Sequence, residues 1–136
     1  MTAAKKRLTV KDLLAEANAS VKALSPAEAL QLLPRDDHVF VDLRDPRELD
    51  REGRIDGAFH APRGMLEFWI DPESPYHKKV FAEAKTFVFF CAGGWRSALA
   101  AKLAHDMGIE RVAHLEGGFS AWKKAELPHV AGKPKA

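Results

Sequence analysis

Phe87-Val88-Phe89-Phe90-Cys91-Ala92-Gly93-Gly94-Trp95-Arg96-Ser97 is the stretch on which the reading of this chain turns. Four apolar residues rich in aromatic and β-branched types read as a buried strand, and the residues after Ser97 read as a helix, so a glycine-containing turn joins the two. Cys91 then falls at the C-terminal end of a strand. In open parallel sheets that edge binds ligands, and a turn entering a helix N-terminus aims unpaired N–H groups into its bowl. Such a bowl favours an anion. The nearest one is the cysteine's own sulfur, because a helix N-terminus and a neighbouring guanidinium both stabilise thiolate over thiol. By residue type alone, a free cysteine at a strand end is most often a small buried hydrophobe. Gly93 and Gly94 make close backbone approach cheap, however, and Arg96 sets a permanent cation five positions on; a plain connection needs neither. Cys91 is read as a poised thiolate.

Working outward, the helix after the loop carries Leu99, Leu103 and Met107 at i, i+4 spacing with Ala100 and Ala104 alongside, and Gly108 closes it. Arg111 to Leu115 supplies a strand, Gly117-Gly118 a turn, and Phe119 to Lys124 a last helix with Trp122 facing inward. Upstream, Val39-Phe40-Val41 reads as a strand ending in Asp42-Leu43-Arg44-Asp45, Pro46 is placed to start a short helix, and Gly53 to Phe59 is a turn into a brief strand. Thr9 to Asp12 and Ser25-Pro26-Ala27-Glu28 both fit a capping box, which predicts helices over 10–18 and 26–33. Asn18-Ala19-Ser20 looks like a joint. The domain plan is an N-terminal helical extension at 1–22, a main domain at 23–130 and a basic tail at 131–136. Strands alternating with helices imply an α/β fold with a central parallel sheet and helices on both faces.

At 136 residues the chain is one domain's worth and buries a core without help from metal or disulfide. A single cysteine makes no internal bridge, and with no zinc-type Cys/His spacing the expectation is a cytoplasmic protein, whose reducing surroundings suit a reactive thiol. No apolar stretch reaches the ~20 residues of a membrane helix, and the N-terminus shows no signal-peptide h-region. Net charge is +2, from 21 basic and 19 acidic residues. The excess falls largely at Lys5, Lys6, Arg7, Lys133 and Lys135, with no basic stripe of the kind that marks a nucleic-acid partner. The six histidines, at 38, 60, 77, 105, 114 and 129, lack ligand spacing. None is assigned to a metal and none is needed as a base; His60 and His114 are expected at strand ends with ordinary hydrogen bonds.

Four places in order carry a family likeness: Val41-Asp42-Leu43-Arg44, the segment Gly53 to Ala58, the Cys91–Ser97 loop, and Glu116-Gly117-Gly118-Phe119-Ser120-Ala121-Trp122 with Leu127-Pro128. Over residues 24–128 the chain resembles the single-domain rhodaneses, the thiosulfate sulfurtransferases. The second segment fits the family's GHIPGA and the loop its CxxGxRS; Arg54 departs from the usual histidine. The resemblance implies a rhodanese-like fold and no cofactor. It implies that Cys91 takes sulfur from a small donor such as thiosulfate, sulfite leaves, and a persulfide waits for a thiol or cyanide. An acceptor protein's thiol is a further partner, and neither nucleic acid nor membrane is one.

On this reading Cys91 and Arg96 carry the chemistry, Ala92, Gly93, Gly94, Trp95 and Ser97 surround the sulfur with N–H groups, and Asp42, Arg44 and Glu48 support the loop. Arg96 steers the anionic donor, or locks the loop by bonding to carbonyls or to an acid such as Asp42 or Glu48, and a mixture of the two is favoured. Ser97 either caps the following helix or donates to the sulfur, and serine's N-cap preference favours the cap. Trp95 shields the persulfide or anchors the loop. The aromatic stretch Gly64 to Tyr76 is a satellite core or a wall beside the thiol. Related phosphatases place five residues between cysteine and arginine around a tetrahedral oxyanion; here four intervene, and the smaller bowl suits one sulfur atom. A non-catalytic binding module of the same fold commonly lacks the cysteine that this chain keeps.

Overall fold

The computed structural model describes residues 7–133; Lys5, Lys6, Lys135 and the ends of the two expected tails lie outside the described residues. Five strands form one all-parallel sheet in the order β1-β5-β4-β2-β3, with β1 at Lys22–Leu24, β2 at His38–Asp42, β3 at Phe59–His60, β4 at Thr86–Phe90 and β5 at Val112–Leu115. The aromatic run is thus the central strand. Its side chains alternate between two cores. Phe87 and Phe89 join Val41, Leu66, Ile70 and Phe81 on one face, while Val88 and Phe90 join Phe40, Ile55, Phe119 and Trp122 on the other. A strand buried on both faces reads as continuous apolar sequence, which is why this element is so plain in the chain.

Among the described residues six α-helices accompany the sheet: α1 Val10–Ser20, α2 Pro26–Leu32, α3 Pro46–Glu52, α4 Leu66–Ile70, α5 Trp95–Asp106 and α6 Gly118–Lys124. The capping boxes of Thr9 with Asp12 and Ser25 with Glu28 form as the sequence predicts, and Asp45 with Glu48 adds a third ahead of α3. One expectation fails: Asn18 to Ser20 is the last turn of α1, not a joint. Lys22–Leu24, to which the sequence reading assigns no element, is an edge strand paired in register with Ala113 to Leu115. Ala17 is fully buried, and Glu16 lies 3.5 Å from Lys102 of α5.

The buried face of α5 also differs from the leucine stripe that the spacing suggests. Ser97, Ala98, Ala100, Ala101 and Ala104 are its buried residues, whereas Met107 is exposed and Leu99 and Leu103 are half-buried. The large side chains needed on that side come from the sheet, so the helix presents small residues to them.

Between β3 and β4 the aromatic stretch divides. Leu66 and Ile70 enter the core, Trp69 packs edge-on against Phe59 at 6.0 Å, and Phe68 and Tyr76 face outward. It is a satellite of the core on one side and open surface on the other.

Candidate active site

Cys91 follows β4 directly, level with the ends of β2 and β5. Its side chain is 1 % exposed and lies at the foot of a pocket of about 310 Å³ lined by Cys91, Gly93, Trp95 and Arg96. The Gly94 N–H donates to Sγ at 3.1 Å. Gly94 itself adopts φ +105°, a left-handed conformation open to glycine at little cost, and this turn starts α5 at Trp95. Ser97 is therefore not the cap that its residue type suggests. It lies in the first turn of the helix, buried, with Oγ 3.6 Å from Cys91 Sγ and 3.2 Å from His114 Nδ1. A tight turn on glycine opened the helix two residues before the serine.

The loop is fastened on two sides. Arg96 grips Glu48 of α3 with both terminal nitrogens, at 2.8 and 2.9 Å. Between the two acids that the sequence offers it, the structure thus selects Glu48. That guanidinium, with the Asp45 backbone N–H, holds the Glu48 carboxyl down to about 2, and the same pair raises the affinity of Arg96 for its proton. Below the loop, the first N–H groups of α6 serve as a strut. Phe119 N–H donates to Cys91 O at 2.8 Å and Ser120 N–H to Ala92 O at 3.0 Å. Gly118 is essential to that approach: at φ +61°, a Cβ there would lie 2.6 Å from Ala92 O and closer still to Cys91 O.

Asp42 and Arg44 form a separate brace. Arg44 is 1 % exposed and reaches Asp42 at 3.0 and 2.8 Å, Gly53 O at 2.9 Å and the face of Phe119 at 4.3 Å. It ties the end of β2 to the turn after α3 and to α6. Gly53 to Ala58 supplies that carbonyl and the buried Ile55, and Arg54 bridges Val130 through the backbone while its exposed side chain lies 3.7 Å from Asp56.

Trp95 is 69 % exposed, so it anchors nothing and stands as an open wall of the pocket. His60 behaves as expected, at a strand end with Nε2 on Arg44 O. His114 does not: it is buried under α5, and its Nε2 has no hydrogen-bond partner. Alternation along β5, with Ala113 and Leu115 turned to the opposite core, was the signal that could have placed it. Among the described residues no cluster of three or more metal-ligating side chains occurs, and no helix is long and apolar enough to cross a membrane.

Residues 25–125 match the sequence model of the rhodanese-like domain. The chain belongs to the rhodanese-like family. A relative, an uncharacterized protein of Synechocystis, is 36 % identical over 110 residues, which is 81 % of this chain and 56 % of that protein. The chain therefore spans little more than half the length of that relative. Thiosulfate sulfurtransferase GlpE of Glaesserella parasuis is 30 % identical over 109 residues, covering 80 % of this chain and 93 % of its own. Among solved structures, a Rhodopseudomonas palustris protein of unknown function, described as a possible tyrosine phosphatase, superposes with a TM-score of 0.88 at 55 % identity, over 95 % of this chain and 98 % of its own. The polysulfide-sulfur transferase of Wolinella succinogenes superposes at 0.68 with 32 % identity, over 88 % and 85 %.

Proposed function

We propose that this rhodanese-like chain is a sulfurtransferase that works through a persulfide on Cys91, with residues 23–130 as the working domain, to which residues 1–22 add α1 and the first residue of β1. The observation that carries this is one buried sulfur held by a main-chain N–H at 3.1 Å, at a small open pocket lined also by Gly93, Trp95 and Arg96. The Cys91 thiolate attacks the outer sulfur of thiosulfate, the S–S bond breaks, and sulfite leaves with the bonding pair. The acceptor's thiolate, or cyanide, then attacks the terminal sulfur and returns the electrons to Sγ. Negative charge shifts between two neighbouring sulfur atoms, and backbone dipoles that need no rearrangement are suited to stabilise it.

Arg96 is the loop's cation, but Glu48 already neutralises it, which supports a role in fixing the loop over one in capturing donor. Thiosulfate is on this reading a weak donor. The same pairing, and four residues instead of five between Cys91 and Arg96, weigh against a phosphoryl group in the bowl. Incubating the protein with thiosulfate and measuring intact mass tests the proposal. One added sulfur is expected, absent from Cys91→Ser; an adduct that survives in that variant refutes the assignment.

A further inference from the structure

We propose that His114 is a positioning residue for the Cys91 sulfur: by donating its Nδ1–H to Ser97 Oγ, it leaves the serine's only hydroxyl proton to point at Cys91 Sγ. The inference deepens the sulfurtransferase reading and rests on it for its biological meaning, but not for its geometry.

Ser97 Oγ stands near three groups able to accept its proton: Cys91 Sγ at 3.6 Å, Gly94 O at 3.3 Å and His114 Nδ1 at 3.2 Å. One hydroxyl hydrogen serves one of them well. Gly94 O accepts the Ala98 N–H of α5 at 3.2 Å and keeps a second lone pair within reach of the hydroxyl. A thiolate at Cys91 is the stronger acceptor of the two because it is charged, so imidazole is the competitor that matters, and the tautomer of His114 decides whether it competes. With the ring proton on Nε2, Nδ1 competes for the hydroxyl, and a buried N–H is stranded. With the proton on Nδ1, the ring becomes the donor, and the stranded atom is a lone pair. Orphaned buried N–H groups are the rarer of the two in proteins, so the second arrangement is favoured. It directs the whole chain of bonds, His114 to Ser97 to Cys91, toward negative charge on sulfur.

The surroundings keep the ring neutral. In the sheet His114 lies beside Ala23 of β1 and Phe89 of β4, and the polar group facing it from α5 is Ser97. Burial pushes its pKa down, and Glu116, two residues along its own strand, opposes this only in part. No bond to carbon, sulfur or hydrogen is made or broken by His114 or Ser97 in this role. They fix where a proton sits before the sulfur reacts.

The test is alkylation of Cys91 by iodoacetamide in the full chain at neutral pH, followed by intact mass, with the thiolate fraction read from ultraviolet absorbance. Ser97→Ala and His114→Leu are each expected to slow alkylation about tenfold or more, the worth of one hydrogen bond to a charged group. The double variant should be no slower than Ser97→Ala alone, because His114 acts through the serine. His114→Asn, whose amide N–H takes the place of Nδ1–H, should restore most of the rate; His114→Gln, which reaches toward the Nε2 position, should not. Wild-type alkylation in His114→Leu, or equal slowing by that substitution with and without Ser97, overturns the proposal. Should His114→Leu fail to fold, the Asn and Gln variants decide the matter between them. Alkylation requires no sulfur transfer. A protein that shows this pattern yet takes no sulfur from thiosulfate or polysulfide keeps the relay and loses the sulfurtransferase reading.

Discussion

Replacing Gly118 by alanine tests whether the N-terminus of α6 holds the cysteine loop in place. Alanine at φ +61° costs about 1 kcal/mol in the left-handed region. Its methyl group also meets the carbonyl oxygens of Cys91 and Ala92, the second at 2.6 Å, and backbone on both sides leaves no flexible side chain to yield. Relief requires α6 to withdraw, which breaks the Phe119-to-Cys91 and Ser120-to-Ala92 hydrogen bonds at about 1 kcal/mol each. The sum is about 3 kcal/mol, which for a chain of this size lowers the melting temperature by about 10 °C. Gly93→Ala is the control, since a Cβ there meets nothing within 4 Å and the residue has no positive φ. It should leave stability within about 0.5 kcal/mol of wild type. Thermal melts followed by circular dichroism, with persulfide formation timed by intact mass, give both quantities. If Gly118→Ala melts with the parent and forms persulfide at the parent's rate, the strut does not exist as described.

Two further substitutions address the ion pairs. Glu48 has its proton affinity lowered in the fold, from 4.5 to about 2, so its contribution is present above pH 4.5 and is lost as pH falls toward 2. At 1.36 kcal/mol per unit the ceiling is about 3 kcal/mol, and with Arg96 40 % exposed, screening reduces this to about 1 kcal/mol. Glu48→Gln should flatten the acid limb of stability over that window in urea melts at stepped pH; an unchanged limb assigns the acid sensitivity to other groups. Asp42→Asn strands the buried Arg44 guanidinium and should cost about 3 kcal/mol or more, measured by urea denaturation. A loss under 1 kcal/mol would mean that water reaches Arg44.

Much of this molecule is legible in the sequence because its central strand is buried on both sides and leaves an uninterrupted apolar run. The loop glycines, Arg96 and the Glu116–Trp122 segment are equally plain, since each sits where backbone geometry restricts residue choice. Other features escape for physical reasons. β1 is a three-residue edge strand, Lys-Ala-Leu, too short to show alternation, and it exists because β5 offers it a ladder. The start of α5 is hidden because a left-handed glycine replaces the side-chain cap that sequence patterns rely on. Alanines rather than leucines face the sheet because Phe87 and Phe89 already fill that layer. The choice of Glu48 by Arg96 spans 48 positions, and no local pattern records it. His114 was hardest to place: a histidine in a four-residue strand looks like any strand-end polar residue until α5 is laid over it.

The exposure of Trp95 has an optical consequence. Of the three tryptophans, Trp122 is fully enclosed with its indole N–H on Pro128 O, and Trp69 is partly enclosed against the core. Trp95 alone stands in water, on the rim of the hollow above the sulfur. Light emitted at the long-wavelength edge of the spectrum therefore comes chiefly from that one indole, and on the proposed mechanism a change in that emission is the expected label-free signal of sulfur loaded on Cys91.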